Sequence, residues 1–72
     1  MIIADMTFDA GTRYINLSNN EVRVIAEARI GQSLGSDPLP DAVWYWVDSV
    51  PSYLPFQTSP AEFAAWADEV AL

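Results

Sequence analysis

Apolar positions change their period along this chain, and each change predicts an element. From residue 2 to residue 8 the alternation is loose, with Ile2, Ala4, Met6 and Phe8 on one side, which predicts a strand over about 2–8. Asp9-Ala10-Gly11 places glycine where the last residue of a hairpin turn takes positive φ. Thr12, Tyr14 and Ile15 then favour a second strand over 12–17, closed by the turn cluster Ser18-Asn19-Asn20. Between 21 and 30, Val22, Val24, Ala26, Ala28 and Ile30 alternate with Glu21, Arg23, Ile25, Glu27 and Arg29. Only Ile25 breaks the polar set, so a third strand is expected, with its charged face in water. A helix is the alternative: Ser18-x-x-Glu21 is a capping box, and Val22, Ile25, Ala26 and Ile30 make a stripe, though one that puts Arg29 on the apolar face.

A Gly/Ser/Asp/Pro linker over 31–38 separates this segment from the most aromatic stretch of the chain, Ala42-Val43-Trp44-Tyr45-Trp46-Val47. Val43, Trp46, Val47 and Val50 fall at i, i+3, i+4 and i+7, Pro40 suits a first helical turn and Pro51 ends the pattern. This predicts a helix over about 39–50 with Trp44 and Tyr45 off its core face, either as interface residues or as the rim of a small core. Read instead as a strand, the same six residues form a doubly buried run. Pro51 to Thr58 cannot be regular, but Tyr53, Leu54 and Phe56 are apolar enough to lie back on the core. The last element is a helix over about 60–71, with Ser59 as N-cap, Pro60 at the first position, Glu62 closing a capping box, and Phe63, Trp66, Ala67 and Val70 as its buried stripe. The expected architecture is α+β: a three-stranded antiparallel β-meander packed against two C-terminal α-helices, in one small domain of 72 residues.

Charge changes the picture more than composition does. Ten acids face three bases, for a net charge of −7, and lysine is absent. Arg13, Arg23 and Arg29 all lie early in the chain; from residue 30 onward there are Asp37, Asp41, Asp48, Glu62, Asp68 and Glu69 and no base. Such a field repels nucleic acid and anionic membrane and attracts basic surfaces. Solubility is the plainer reading of the same acids. The longest apolar run is six residues, far short of the roughly 20 that span a bilayer, and the N-terminus does not read as a signal peptide. A cytoplasmic protein is therefore expected.

The missing residue types exclude most chemistry. Without histidine, cysteine or lysine there is no ordinary neutral-pH base, no thiol or amine nucleophile and no usual zinc site. Gly11, Gly31 and Gly35 fit no nucleotide fingerprint, and Asp37, Asp41 and Asp48 do not follow a calcium loop. No enzyme activity, cofactor or metal is expected. Binding is. In the helical reading Asp41 and Asp48 share a face about 10 Å apart, Glu62 and Glu69 repeat that spacing with Asp68 beside them, and Trp44 and Tyr45 supply an apolar anchor. Asp37, Asp41, Trp44, Tyr45, Asp48, Glu62, Asp68 and Glu69 are therefore the candidate partner-binding residues.

In its shortness, its charge of −7, its lack of lysine and cysteine, and its acids Asp37, Asp41, Asp48, Glu62, Asp68 and Glu69, the chain resembles the phage-encoded anti-CRISPR inhibitors. The resemblance is one of character, with no shared motif. It implies a DNA mimic that docks on a basic nucleic-acid-binding surface of a Cas complex inside a bacterial host, acting as a monomer or weak homodimer. The alternative is a structural or assembly module that oligomerises through Trp44, Tyr45 and Tyr53.

Overall fold

The structure, a computed structural model, describes residues 2–3 and 6–71 of the chain. Its centre is a five-stranded antiparallel sheet, and the helix expected over 39–50 is a strand within it. The strands in chain order are β1 (Ile2–Ile3), β2 (Met6–Thr7), β3 (Arg13–Asn16), β4 (Glu21–Arg29), β5 (Ser33–Leu34), β6 (Asp37–Pro38), β7 (Ala42–Val47), β8 (Phe56–Thr58) and β9 (Glu69–Val70), with one helix, α1 (Pro60–Trp66), between the last two. The main sheet runs β8-β7-β4-β3-β9; β1 with β2 and β5 with β6 form separate two-stranded ladders. The expected three-stranded meander with two helices is thus replaced by a larger sheet with one short helix.

The aromatic segment is extended because its side chains decide against a helix. Val43, Trp44, Tyr45, Trp46 and Val47 are all β-branched or aromatic and lose side-chain freedom against a preceding helical turn. On a pleated sheet they pack well. The helical spacing within 42–47 carried no information, since a run that is apolar at every position satisfies any period, and Val50, which extended it, is 46% exposed beyond the strand. Asp41, expected near a helix start, accepts the Gly31 N–H at 3.0 Å and so ties together the two ends of the β4–β7 connection.

β4 holds the second correction. Its register against β7 runs Arg23↔Val47, Val24↔Trp46 and Ile25↔Tyr45, then slips by one residue to Glu27↔Trp44, Ala28↔Val43 and Arg29↔Ala42. The extra residue, Ala26, is a β-bulge that changes which parity points inward. Before it Arg23 and Ile25 face the helix; after it Ala28 and Ile30 do. Ile25, the residue that broke the polar set, is only 1% exposed and belongs to the core. The supposed solvated face is the core face over the first half of the strand.

That core comprises Phe8, Tyr14, Ile25, Val43 and Phe63, with Met6, Ala28, Ile30, Tyr45, Trp66 and Ala67 packed around it. Phe63, fully buried, sits edge-on to Phe8, Tyr14 and Tyr45 at ring separations of 5.9, 5.7 and 5.6 Å. α1 begins where expected: the Ser59 side chain accepts the Glu62 N–H at 3.1 Å and Pro60 takes the first position. The reciprocal arm of the capping box is not made to Ser59; the Glu62 carboxylate accepts the Thr58 hydroxyl instead, at 2.9 Å. The helix stops at Trp66, not near 71, because Ala67 is extended and the chain goes on to pair with β3. Asp68 N–H donates to Ile15 O, Ala71 N–H to Arg13 O, and Leu17 N–H to the Asp68 carboxylate at 2.6 Å. α1 therefore carries the chain across one face of the sheet, from β8 at one edge to β9 at the other.

The stretch expected as one strand over 2–8 is divided into β1 and β2, which pair with each other; Ala4 within it lies outside the described residues. Gly11 has the positive φ foreseen for it, +90°, in a turn where Thr12 N–H donates to Asp9 O. Its N–H reaches Ile25 O, so the turn docks on β4.

Candidate functional site

The three arginines are all engaged within the molecule. The Arg23 guanidinium lies 3.9 Å from the Trp66 ring centre and 4.4 Å from that of Tyr45, and its Nε donates to Glu21 at 2.9 Å. Arg13 pairs with Asp48 at 3.0 Å. Arg29 donates twice to the Pro40 carbonyl, at 3.2 and 2.9 Å, and lies 5.5 Å from the Trp44 ring centre.

The acids are dispersed by comparison. Asp41 and Asp48 flank β7 at its two ends, about 23 Å apart at the rise of an extended chain, so the expected row with 10 Å spacing does not exist. Glu62 lies in the first turn of α1 and Glu69 on β9, so their helical spacing is lost as well. Asp48 is neutralised by Arg13. Asp41, Glu62 and Asp68 each hold a hydrogen bond that shapes a turn, cap or junction, and none is ion-paired among the described residues. Asp37, in the exposed β5–β6 hairpin, and Glu69 are open to water.

Trp44 and Tyr45 are adjacent in a strand and so point to opposite faces. Tyr45 faces the helix, stacked on Phe56 at 5.6 Å, and serves the core. Trp44 lies on the other face with Trp46, which helical spacing would turn toward the core. The segment after β7 also differs from expectation. Tyr53 is fully exposed and Leu54 is 75% exposed, so neither lies back on the core. Pro51 to Thr58, expected to be irregular throughout, is so only up to Pro55: Phe56–Thr58 form β8, an edge strand paired with β7, where a proline just before the strand costs no ladder bond.

A shallow cleft of about 290 Å³ lies between α1 and β9, lined by Met6, Tyr14, Ala64, Ala67 and Val70 with Asp68 and Glu69. It brings together no nucleophile and base. Among the described residues no group of three or more acids is placed to hold a metal ion, and no buried side-chain polar atom lacks a partner. No helix among them is long and apolar enough to cross a membrane. Comparison with protein-family models, with curated proteins and with solved structures finds no match to the chain.

Proposed function

We propose that the protein works by binding: it is a small acidic inhibitor that docks on a basic surface of a protein partner, of the kind that holds a nucleic-acid backbone. A Cas effector complex is the class of target that the anti-CRISPR resemblance implies. The observation that carries this reading is the division of charge. All three arginines are used internally, whereas Asp37, Asp41, Glu62, Asp68 and Glu69 keep exposed positions and form no ion pair among the described residues. A cationic groove would meet these acids without having to displace an internal partner, and long-range attraction would speed the encounter.

The test must spare the acids that hold the fold. Asp41, Glu62 and Asp68 bond to backbone or hydroxyl groups, so neutralising them confounds charge with stability. Asp37→Asn and Glu69→Gln do not. Tagged protein is used to capture partners from a bacterial lysate at low salt, followed by a high-salt wash. A nucleic-acid-binding complex should be captured and released by salt, and the double variant should hold it about tenfold more weakly with an unchanged melting temperature. Capture that withstands salt, or is equal for the variant, refutes the reading.

A further inference from the structure

The central strands carry two apolar faces, and the chain covers one. α1, Phe8 and Met6 pack on the side that bears Tyr14, Ile25, Val43 and Tyr45. By alternation and register, the opposite side presents Ile15 from β3, Val22 and Val24 from β4, and Trp44 and Trp46 from β7. All five are half-buried, and none joins the core cluster. α1 lies on the other side; here the Arg29 guanidinium reaches the Trp44 ring, 5.5 Å from its centre, while Leu34 of the β5–β6 hairpin and Tyr53 and Leu54 of the β7–β8 connection stand out in water. The molecule is a slab of 41 × 29 × 17 Å, and its thin dimension is that of a sheet plus one helical layer.

We infer that this face is the contact surface for a second copy of the same chain, packed sheet to sheet as a homodimer. Charge selects that occupant. The face carries two of the three arginines, Arg13 and Arg29, with Asp48, Glu27 and Glu69 around the apolar centre, so it sums to −1 in a molecule of −7. A basic partner is drawn to the strongly acidic remainder of the surface, whereas on this face, at −1, two acidic molecules repel each other only weakly. It also carries both signs, so a twofold contact can set the arginines of one copy against the acids of the other. Two such sheets would pack about 10 Å apart, and a stable dimer needs roughly 600 Å² or more per protomer, which calls on the charged rim as well as the five apolar residues.

The inference goes beyond the acidic docking reading and is separable from it by the sign of the salt effect. Screening weakens attachment to a basic partner, but it relieves the repulsion between two molecules of −7, so the dimer should tighten as salt rises. Sedimentation velocity of the full chain is run across concentration at about 0.05 M and about 0.5 M salt. The expected result is a monomer–dimer equilibrium whose dissociation constant falls several-fold at the higher salt. Val24→Lys should raise that constant by 100-fold or more, whereas Tyr53→Ser, on the exposed loop, should leave it unchanged. Should Val24→Lys fail to fold, the unsubstituted chain answers instead: methyl resonances of Ile15, Val22 and Val24 should shift with concentration while that of Ile25 does not. A monomer throughout, a dimer abolished by Tyr53→Ser, or concentration-independent Val22 and Val24 methyls overturns the inference.

Discussion

Arg23 is the residue whose loss should be felt most out of proportion to its place in the sequence, where it reads as one more charge on a solvated strand. Its guanidinium is held between the Trp66 and Tyr45 rings at 3.9 and 4.4 Å, with Phe63 at 5.8 Å, and it pairs with Glu21. The Arg23 and Glu21 side chains are only 17% and 30% exposed. Each ring contact is worth about 1 kcal/mol, between the values for exposed and fully desolvated cation–π pairs. Truncation to alanine also strands a half-buried Glu21 carboxylate, at about 1 kcal/mol, and removes the packing of the arginine stem. Arg23→Ala should therefore destabilise the fold by about 3 kcal/mol. For a chain of this size that is a melting temperature lower by roughly 12–24 °C. Arg23→Lys keeps the charge but not the flat stacking plane and should cost about half as much. Urea titration followed by circular dichroism measures both. Burial shields the pair from counter-ions, so the loss should change little with salt. A cost below about 0.5 kcal/mol for Arg23→Ala, or one that vanishes in high salt, would show that the clamp between β4 and α1 is not a stabilising element.

Two further substitutions separate helix start from core. Ser59→Ala removes the acceptor of the Glu62 N–H and should cost about 1 kcal/mol, read as a melting temperature lower by roughly 4–8 °C. Ile25→Ala opens a hole in a site that is 1% exposed and should cost about 2–4 kcal/mol in the same urea titration, the opposite of what its place among Glu21, Arg23, Glu27 and Arg29 suggests.

How much of this was legible depended on whether the deciding interaction was local. The start of α1 was, because Ser59, Pro60 and Glu62 act within one helical turn. So were the extended nature of 21–29 and the positive φ of Gly11, which follow from pattern and turn chemistry. The end of α1 was not: Ala67 could have continued the helix, and it leaves because the outer edge of β3, some 50 residues away in sequence, takes up Asp68 and its neighbours in hydrogen bonds. The direction of the Ile25 side chain was hidden for a related reason, since a bulge at Ala26 is a property of the β4–β7 ladder and not of either strand. The candidate site failed where it leaned on helical spacing. Once 42–47 became a strand, the Asp41–Asp48 row and the shared placement of Trp44 and Tyr45 dissolved together, while the arginine engagements that make the acidic excess matter came from contacts no spacing announces.

The bonds that finish the sheet also set a timetable for synthesis. Asn16 donates to Trp66 O and Leu17 to Asp68 across 50 and 51 residues. At about 5–20 residues per second, a ribosome needs roughly 3–10 s to make the chain between them. For that interval β3 has its β4 partner and a bare outer edge, and Tyr14 and Ile25 wait for the helix that will cover them. The nascent chain is thus most vulnerable to misassociation on the ribosome until its final segment has emerged. A stall or premature stop after β8 would release a sheet with an open edge and an uncovered core.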